Sequence, residues 1–285
     1  IRKSLLITSI IFSKNRPLQL DLCLKSIKKN FKQSTKNIVI YNNDEEFDEA
    51  YNTIKKEYSD VMFWRQSDSL FHDINRIVRA SVNDYICFFV DDCICFNKVE
   101  IPELILDHLA TFCCISLRLG LNISERSHNN VMYPDGVSNY SLTHDKKYMV
   151  WNKTAHCYGS YWSYSHSVDG HIFNRSDMEN VTSELWELSE FRNWKQTPNE
   201  FESAIQRFWP LSPAIMACPV ESCVVNSPNN KVQESHDNRS GDIFDYNEKT
   251  LLEKYESGGR IDLEDLDFSD IKCPHTEIDI LKGLK

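Results

Sequence analysis

The fold is decided by the stretch Tyr85-Ile86-Cys87-Phe88-Phe89-Val90-Asp91-Asp92-Cys93-Ile94-Cys95-Phe96. Its first six residues favour a β-strand without alternation of apolar and polar side chains, which is typical of a strand buried on both faces of a mostly parallel sheet. Two adjacent carboxylates, Asp91 and Asp92, follow. Such a pair costs stability unless a cation compensates it, and ligands of open α/β sheets bind at this end of the strands. The stretch therefore predicts a divalent metal that carries a diphosphate; a polar turn is the simpler alternative.

The first half of the chain alternates strand-like and helix-like segments. Strands are predicted at Leu5–Phe12, Asn37–Tyr41 and Val61–Trp64, and helices at Leu18–Asn30, Glu46–Tyr58 and Phe71–Ser81. This alternation is typical of βαβ units. The predicted fold class is α/β, with a mostly parallel central sheet flanked by helices.

The pattern changes after residue 117. Residues 118–168 are rich in Asn, Ser, Tyr and His, and they predict a long irregular binding region. A helix is predicted from Pro198 to about Phe208, with Asn199 as its N-cap and Glu202 at its third position. Cys218–Asn226 is predicted as a further strand. The chain ends in one helical pattern and an acidic tail.

Composition narrows the classes of ligand. The chain has 285 residues and a net charge of −10, so nucleic-acid binding is disfavoured because it requires a basic surface. No apolar run reaches the roughly 18 residues of a membrane span. The ten cysteines form no CxxC pair, and several lie in apolar segments, which favours buried reduced thiols and the cytoplasm. The first residue, Ile1, favours a domain taken from a larger protein.

Four polar segments follow one another in an order with a known counterpart. They are Ser13-Lys14-Asn15-Arg16-Pro17, Tyr41-Asn42-Asn43-Asp44, Asp91-Asp92 and the downstream segment Lys231-Val232-Gln233-Glu234-Ser235-His236-Asp237-Asn238. This order resembles the nucleotide-sugar-dependent glycosyltransferases of the GT-A fold, in particular the family-2-like group. The resemblance covers roughly residues 4–245.

The resemblance implies an architecture and an activity. A GT-A (Rossmann-like) domain spans residues 1–245, with a nucleotide-binding half at 1–117 and an acceptor-binding half at 118–245. A C-terminal helical extension follows at 246–285. The implied activity is Mn²⁺- or Mg²⁺-dependent transfer of a sugar from a nucleoside-diphosphate sugar, UDP-linked, to a hydroxyl of a glycan-type acceptor. Polysaccharide biosynthesis within a larger multi-domain transferase is the implied setting.

The resemblance also assigns the nucleotide site. Ser13, Asn15 and Arg16 look like the wall that holds the base and ribose. The family often reads uracil with an acidic residue at the end of the second strand, and Asn42 or Asn43 occupies that place here. The identity of the base is therefore left open.

The metal ligands follow from the same resemblance. Asp91-Asp92-Cys93 resembles the shortened Asp-Asp form of the family's metal motif. Asp92 is the implied direct ligand, Asp91 contacts the ribose or the water shell of the ion, and His236 is the ligand from the C-terminal part. Mg²⁺ and Mn²⁺ commonly combine one or two carboxylates with phosphate oxygens and waters, and the ion neutralises charge on a leaving diphosphate.

An inverting transferase needs a carboxylate base for the acceptor hydroxyl. Family-2 enzymes usually place it in a Glu-Asp motif at the start of a late helix, which corresponds to Glu200 or Glu202 here. Asp169, in the Asp-Gly-His of Ser167–Phe173, is the third candidate, because it stands between an aromatic loop and an apolar strand. Capping alone explains a Glu at the third helical position. The choice of base, and inversion or retention, stay open.

Two other functions fit the same pattern. A sugar nucleotidyltransferase uses a similar sheet and metal, but it usually carries a Gly-rich phosphate loop, and the loop at 13–17 has no glycine. A non-catalytic nucleotide- or carbohydrate-binding domain keeps the fold without turnover. Nucleotide binding without hydrolysis of the sugar nucleotide distinguishes that possibility.

Overall fold

The protein is described by a computed structural model over residues 6–108, 111–128, 131–188, 196–208, 210–230, 241–244 and 246–285. The strands of these ranges are β1 (Ile7–Lys14), β2 (Ser34–Asn42), β3 (Met62–Arg65), β4 (Tyr85–Val90), β5 (Cys93–Cys95), β6 (Phe112–Ser116), β7 (Glu125–His128), β8 (Val131–Pro134), β9 (Tyr140–Leu142), β10 (Tyr148–Asn152), β11 (His171–Asn174), β12 (Ile215–Pro219) and β13 (Val224–Asn226). The α-helices are α1 (Pro17–Asn30), α2 (Asp48–Glu57), α3 (Leu70–Ala80), α4 (Glu103–Asp107), α5 (Arg175–Glu187), α6 (Pro198–Ile205) and α7 (Glu248–Glu256).

A nine-stranded sheet forms the centre of the described structure, in the order β3-β2-β1-β4-β11-β6-β12-β10-β9. β1 is parallel to β2 and β4, and β2 is parallel to β3. β11 runs antiparallel between β4 and β6, whereas β6 and β12 are parallel. β10 is antiparallel to both β12 and β9. All strands of this sheet except β10 and β11 therefore point the same way, and the predicted α/β class with a mostly parallel sheet is confirmed.

This topology gathers loops at one edge of the sheet. The carboxyl ends of β1, β2, β4 and β6 meet there because these strands share a direction. β11 runs the opposite way, so the residues before it reach the same edge, and Gly170 N–H donates to Phe88 O at 2.8 Å. β13 pairs with β5 in a separate two-stranded sheet, which brings Asn226 opposite Cys93. The edge thus collects loops that are far apart in the sequence.

The predicted elements of the first half are all present, with ends within three residues of the predicted ones. Long apolar runs and regular spacing made these elements clear. Two predictions in the second half are wrong. Cys218–Asn226 is not one strand, because β12 ends at Pro219, which has no N–H for the ladder, and β13 begins at Val224. Residues 118–168 are not wholly irregular, because four short strands, β7 to β10, lie within them.

The helix α6 begins at Pro198, as predicted, but its N-cap differs from the prediction. Thr197 is the N-cap, and its side chain accepts a hydrogen bond from Glu200 N at 3.3 Å. Pro198 takes the first helical position, where its missing N–H and fixed φ are favourable. Asn199 is therefore inside the helix, and Glu200 rather than Glu202 stands at the third position. Helix capping does not explain Glu202.

The C-terminal residues pack back onto this framework. α7 lies against α1 and α2, and Tyr255 of α7 is buried. Further along, His275 forms a bridge with Asn226, so the end of the chain reaches the loop edge of the sheet. Within the described ranges, no helix has the length and apolarity to cross a membrane.

Gly170 gives a test of this arrangement. Its φ is +72°, and an added Cβ stands 3.2 Å from Val224 Cγ1. Gly170→Ala is expected to lower the free energy of unfolding by about 1–3 kcal/mol, because the left-handed backbone is strained for alanine. Urea denaturation measures the change. Gly136→Ala is the control, since a Cβ there has no atom within 4 Å, and equal midpoints for the two variants would contradict the prediction.

Candidate active site at the carboxyl edge of the sheet

The turn between β1 and α1 joins the ends of the first two strands. Asn15 has a φ of 55°, in the left-handed region that Asn tolerates better than most residues. Its Nδ2 donates to Asp44 Oδ2 at 2.7 Å, and its Oδ1 accepts from Asp44 N at 2.9 Å. Ser13 Oγ is 2.6 Å from Tyr51 O–H. Ser13 and Asn15 are thus held in place by α2 and by the segment after β2.

Asp91 and Asp92 follow β4 and are both buried. Asp91 Oδ2 accepts from Lys14 N at 3.0 Å. Arg16 Nη1 donates to Asp91 Oδ1 at 3.1 Å and to Asp92 Oδ1 at 2.5 Å. Burial raises the pKa of both carboxyl groups, and the Arg16 charge opposes that shift. The protein thus supplies a cation of its own, Arg16, beside the pair.

A second acidic group, Asp169, lies before β11 at the same edge. Arg118 Nη1 donates to Asp169 Oδ2 at 3.0 Å, and Asn226 Nδ2 donates to Oδ1 at 3.2 Å. His275 Nε2 is 3.2 Å from Oδ2. Burial alone raises the pKa of Asp169, but the hydrogen bond from His275 and the charge of Arg118 lower it to about 2. Asp169 is therefore a firmly ionised group.

Aromatic side chains hold the partners of Asp169. Tyr161 Oη is 2.8 Å from His275 Nδ1, and because a carboxylate only accepts, His275 Nε2 carries the hydrogen that it donates to Asp169. The guanidinium carbon of Arg118 is 5.3 Å from the ring centroid of Tyr161 and 5.8 Å from that of Tyr164, at cation–π distance. A network therefore runs from Tyr161 through His275 and Asp169 to Arg118.

Glu202 approaches Asp169 from α6. Its Oε1 accepts from Val168 N at 3.2 Å. Burial raises the pKa of Glu202 to about 7, and the negative charge of Asp169 contributes in the same direction. The preceding Phe201 packs against Phe88, with ring centroids 5.6 Å apart. This core contact fixes α6 on the sheet and aims Glu202 at the loop before β11.

The other predicted residues are placed as follows. Glu200 is partly exposed at the first turn of α6, and Asn42 is exposed at the end of β2. Asn43 is buried, and its Nδ2 donates to Asp48 Oδ1 at 2.8 Å, while its Oδ1 has no hydrogen-bond partner among the described residues. His236 lies outside the described residues.

Sequence reasoning missed several residues of this site, which are Asp44, Tyr51, Arg118, Asn226, Asn230 and His275. Arg118 had a signal, because it stands directly after an apolar strand-like run. His275 was assigned a structural role in Cys273-Pro274-His275, because no spacing to a partner marked it.

The donor set at Asp91-Asp92 fits Mg²⁺ or Mn²⁺, because neighbouring carboxylates supply the oxygen ligands that these ions prefer. Within the described ranges, no group of three or more His, Cys, Asp and Glu side chains is arranged to hold a metal. An ion at this pair therefore depends on ligands such as phosphate oxygens and waters. The guanidinium of Arg16 lies against the same oxygens.

The Arg118–Asp169 pair allows a stability test. Arg118→Met leaves Asp169 buried without its cation, so we expect the free energy of unfolding to fall by about 3–5 kcal/mol at neutral pH. Chemical denaturation measures it. Arg79→Met is the matched control, because Arg79 is exposed and its nitrogen is 3.7 Å from Glu179, a pairing worth less than about 1 kcal/mol. Equal losses in the two variants would contradict the importance of the buried pair.

No protein-family model matches the chain. The chain is 22% identical over 207 residues to the bifunctional glycosyltransferase pgtA of Dictyostelium discoideum, a match that covers 68% of this chain and 27% of that protein. The chain thus spans about a quarter of the length of the curated relative.

Two solved structures show the level of structural similarity. S. aureus TarS 1–349 in complex with UDP has a TM-score of 0.47 at 10% identity, covering 77% of this chain and 59% of that chain. The 4-diphosphocytidyl-2C-methyl-D-erythritol synthase of Anaerococcus prevotii has a TM-score of 0.41 at 10% identity, covering 77% and 89%. These values leave the function to be argued from the site. The resemblance to glycosyltransferases that the motifs predicted is confirmed by the curated relative.

Proposed function

We propose that this chain is the catalytic domain of a metal-dependent glycosyltransferase, which moves a sugar from a UDP-linked donor to a hydroxyl of a glycan-type acceptor. One observation carries the proposal: the buried pair Asp91-Asp92 lies at the carboxyl edge of the sheet, in contact with the turn after β1. Open α/β sheets bind nucleotides at that edge. The similarity to a curated glycosyltransferase supports sugar transfer over other nucleotide chemistry.

The proposed nucleotide site is formed by the ends of β1 and β2. Ser13 and Asn15 already bond to Tyr51 and Asp44, so they act as a fixed wall. Asn43 Oδ1 is a buried acceptor without a partner among the described residues, and an uncompensated acceptor favours a ligand that donates. A uracil N–H is such a donor, which supports Asn43 over the exposed Asn42.

The proposed metal ligand is Asp92, with Asp91 on the ribose or on the water shell. His236 stays the proposed third ligand. A bound Mg²⁺ or Mn²⁺ supplies neutralisation of the negative charge on the leaving diphosphate. The protein contributes the rigid end of β4, where Lys14 N–H orients Asp91.

The pKa values distinguish two of the candidate bases, Glu202 and Asp169, from each other. A general base works best with a pKa near the operating pH. Burial and the charge of Asp169 raise the pKa of Glu202 to about 7, whereas the partners of Asp169 lower its pKa to about 2. We assign Glu202 as the base and Asp169 as the ionised acceptor that orients a sugar hydroxyl. Glu200 is partly exposed at the first turn of α6 and is the least supported candidate.

The larger protein and the cellular compartment proposed for this chain are supported by the length of the relative and the state of the cysteines. Residues 118–245 are the proposed acceptor-binding half, and residues 246–285 the C-terminal extension. Because the curated relative is much longer than this chain, we place the domain in a larger multi-domain transferase of polysaccharide biosynthesis. Nine of the ten cysteines are buried free thiols, which favours the reducing cytoplasm.

Glu202→Gln tests the base. We expect the rate of sugar transfer to fall at least about 100-fold. The wild-type rate should rise with pH through about 7, because only the deprotonated carboxylate accepts the proton. That limb should be absent from the residual activity of the variant. Glu200→Gln is the control and should keep its rate within about threefold; the opposite pattern would move the base to Glu200.

Calorimetric binding of nucleoside diphosphates, with and without Mn²⁺, tests the proposed function itself. UDP should bind at least tenfold more tightly with Mn²⁺ than without it. A tenfold change in the dissociation constant corresponds to about 1.4 kcal/mol of binding free energy. Asp92→Asn should abolish that gain, while Asp60→Asn, an exposed surface change, should keep it. If no nucleotide binds, the proposal is wrong. Binding of UDP without hydrolysis of any UDP-sugar would instead support the non-catalytic domain.

A further inference from the structure

Arg16 connects three segments at the centre of the site. Its Nη1 contacts Asp91 and Asp92, and its Nη2 donates to the carbonyl of Asn230. Gln19 Nε2 donates to Asn230 Oδ1 at 3.1 Å, so the start of α1 and the loop after β13 close around the guanidinium. The side chain of Arg16 is 9% exposed. The ion pairs of Arg16 with Asp91 and Asp92 are therefore buried in the fold and do not lie on the surface.

The charges of this cluster bear on metal binding. Two carboxylates and one guanidinium carry a net charge of −1 when all are ionised. A divalent cation added to that cluster would leave a net +1 in a buried place, which is unfavourable. A diphosphate, with about two negative charges, restores a net negative charge. The cluster is therefore balanced for a metal together with a nucleotide, and not for a metal alone.

We propose that Arg16 is an internal counter-cation that makes divalent-metal binding at Asp92 depend on the nucleotide. The inference rests on the proposed function and deepens it. While the guanidinium bridges the two carboxylates, it competes with a metal for Asp92. When a nucleoside diphosphate enters, Arg16 changes partner from Asp92 to a phosphate oxygen and leaves the carboxylate to the metal.

Two features of the chain support this change of partner. Guanidinium groups bind phosphate oxygens through paired hydrogen bonds. Arg16 Nε is buried and has no hydrogen-bond partner among the described residues, so the bridged arrangement leaves one donor unsatisfied. Pro17 at the first position of α1 fixes the backbone beside it. The motion is therefore confined to the side chain.

The experiment measures Mn²⁺ binding by electron paramagnetic resonance, on the whole chain, with and without UDP. Wild type should bind Mn²⁺ weakly alone and at least tenfold more tightly with UDP. Arg16→Gln should bind Mn²⁺ without UDP at least tenfold more tightly than wild type, and UDP should then add less. Arg79→Gln, on the exposed part of α3, removes the same charge at a distance and should behave as wild type.

The outcomes separate this inference from the proposed function. If Arg16→Gln binds Mn²⁺ alone no more tightly than wild type, while UDP still binds with Mn²⁺, only this inference is overturned. If neither protein binds Mn²⁺ or UDP, both are overturned. If Arg16→Gln does not fold, the inference is tested on the wild-type protein by ¹⁵N NMR. The signal of Arg16 Nε–H should move when UDP and Mg²⁺ are added together, but not when Mg²⁺ is added alone. An unmoved signal would overturn the inference.

Discussion

Burial of acidic side chains at the carboxyl edge of the sheet is the constraint on which the site depends. The topology brings Asp91, Asp92 and Asp169 to this edge, and each is at most 9% exposed. Ionised carboxylates tolerate such burial only beside cations and hydrogen-bond donors. Arg16, after β1, forms ion pairs with Asp91 and Asp92, and Arg118, after β6, forms one with Asp169. The ends of β1, β4 and β6 and the start of the antiparallel β11 thus supply both the acidic side chains and the arginines that neutralise them.

Neighbouring carboxylates in this site have opposite properties because their partners differ. Asp169 receives hydrogen bonds from Arg118, His275 and Asn226, and its pKa is low. Burial of Glu202 and the negative charge of the facing Asp169 raise the pKa of Glu202, and they outweigh the hydrogen bond that it accepts from Val168 N. A pair of carboxyl groups whose environments move their pKa values apart is the arrangement that separates a charge-stabilising group from a proton acceptor. This separation is the basis for the division of roles that we propose.

The sequence predictions were accurate where a feature depends on residues close together along the chain, and they failed where it depends on residues far apart. The first half was predictable because unbroken apolar runs and regular spacing report buried strands and amphipathic helices directly. The N-cap of α6 was misplaced by two residues, since Thr197 and Asn199 are both residue types that favour the cap and only the structure shows that Thr197 takes it. Arg118 and His275 were missed because their partner, Asp169, is 51 and 106 residues away. A motif search looks for short spacings and does not see such contacts.

The sequence by itself determined the α/β class, the alternation of strands and helices in the first half and the position of the Asp91-Asp92 pair at a strand end. Those features depend on hydrophobic patterning and local backbone preference, which are written along the chain. Only the tertiary structure decided which side-chain cation lies beside the acid pair, and which carboxyl groups have a raised pKa and which a lowered one. These properties depend on burial and on charges within a few ångströms, and here the charges come from loops that only the folded sheet brings together.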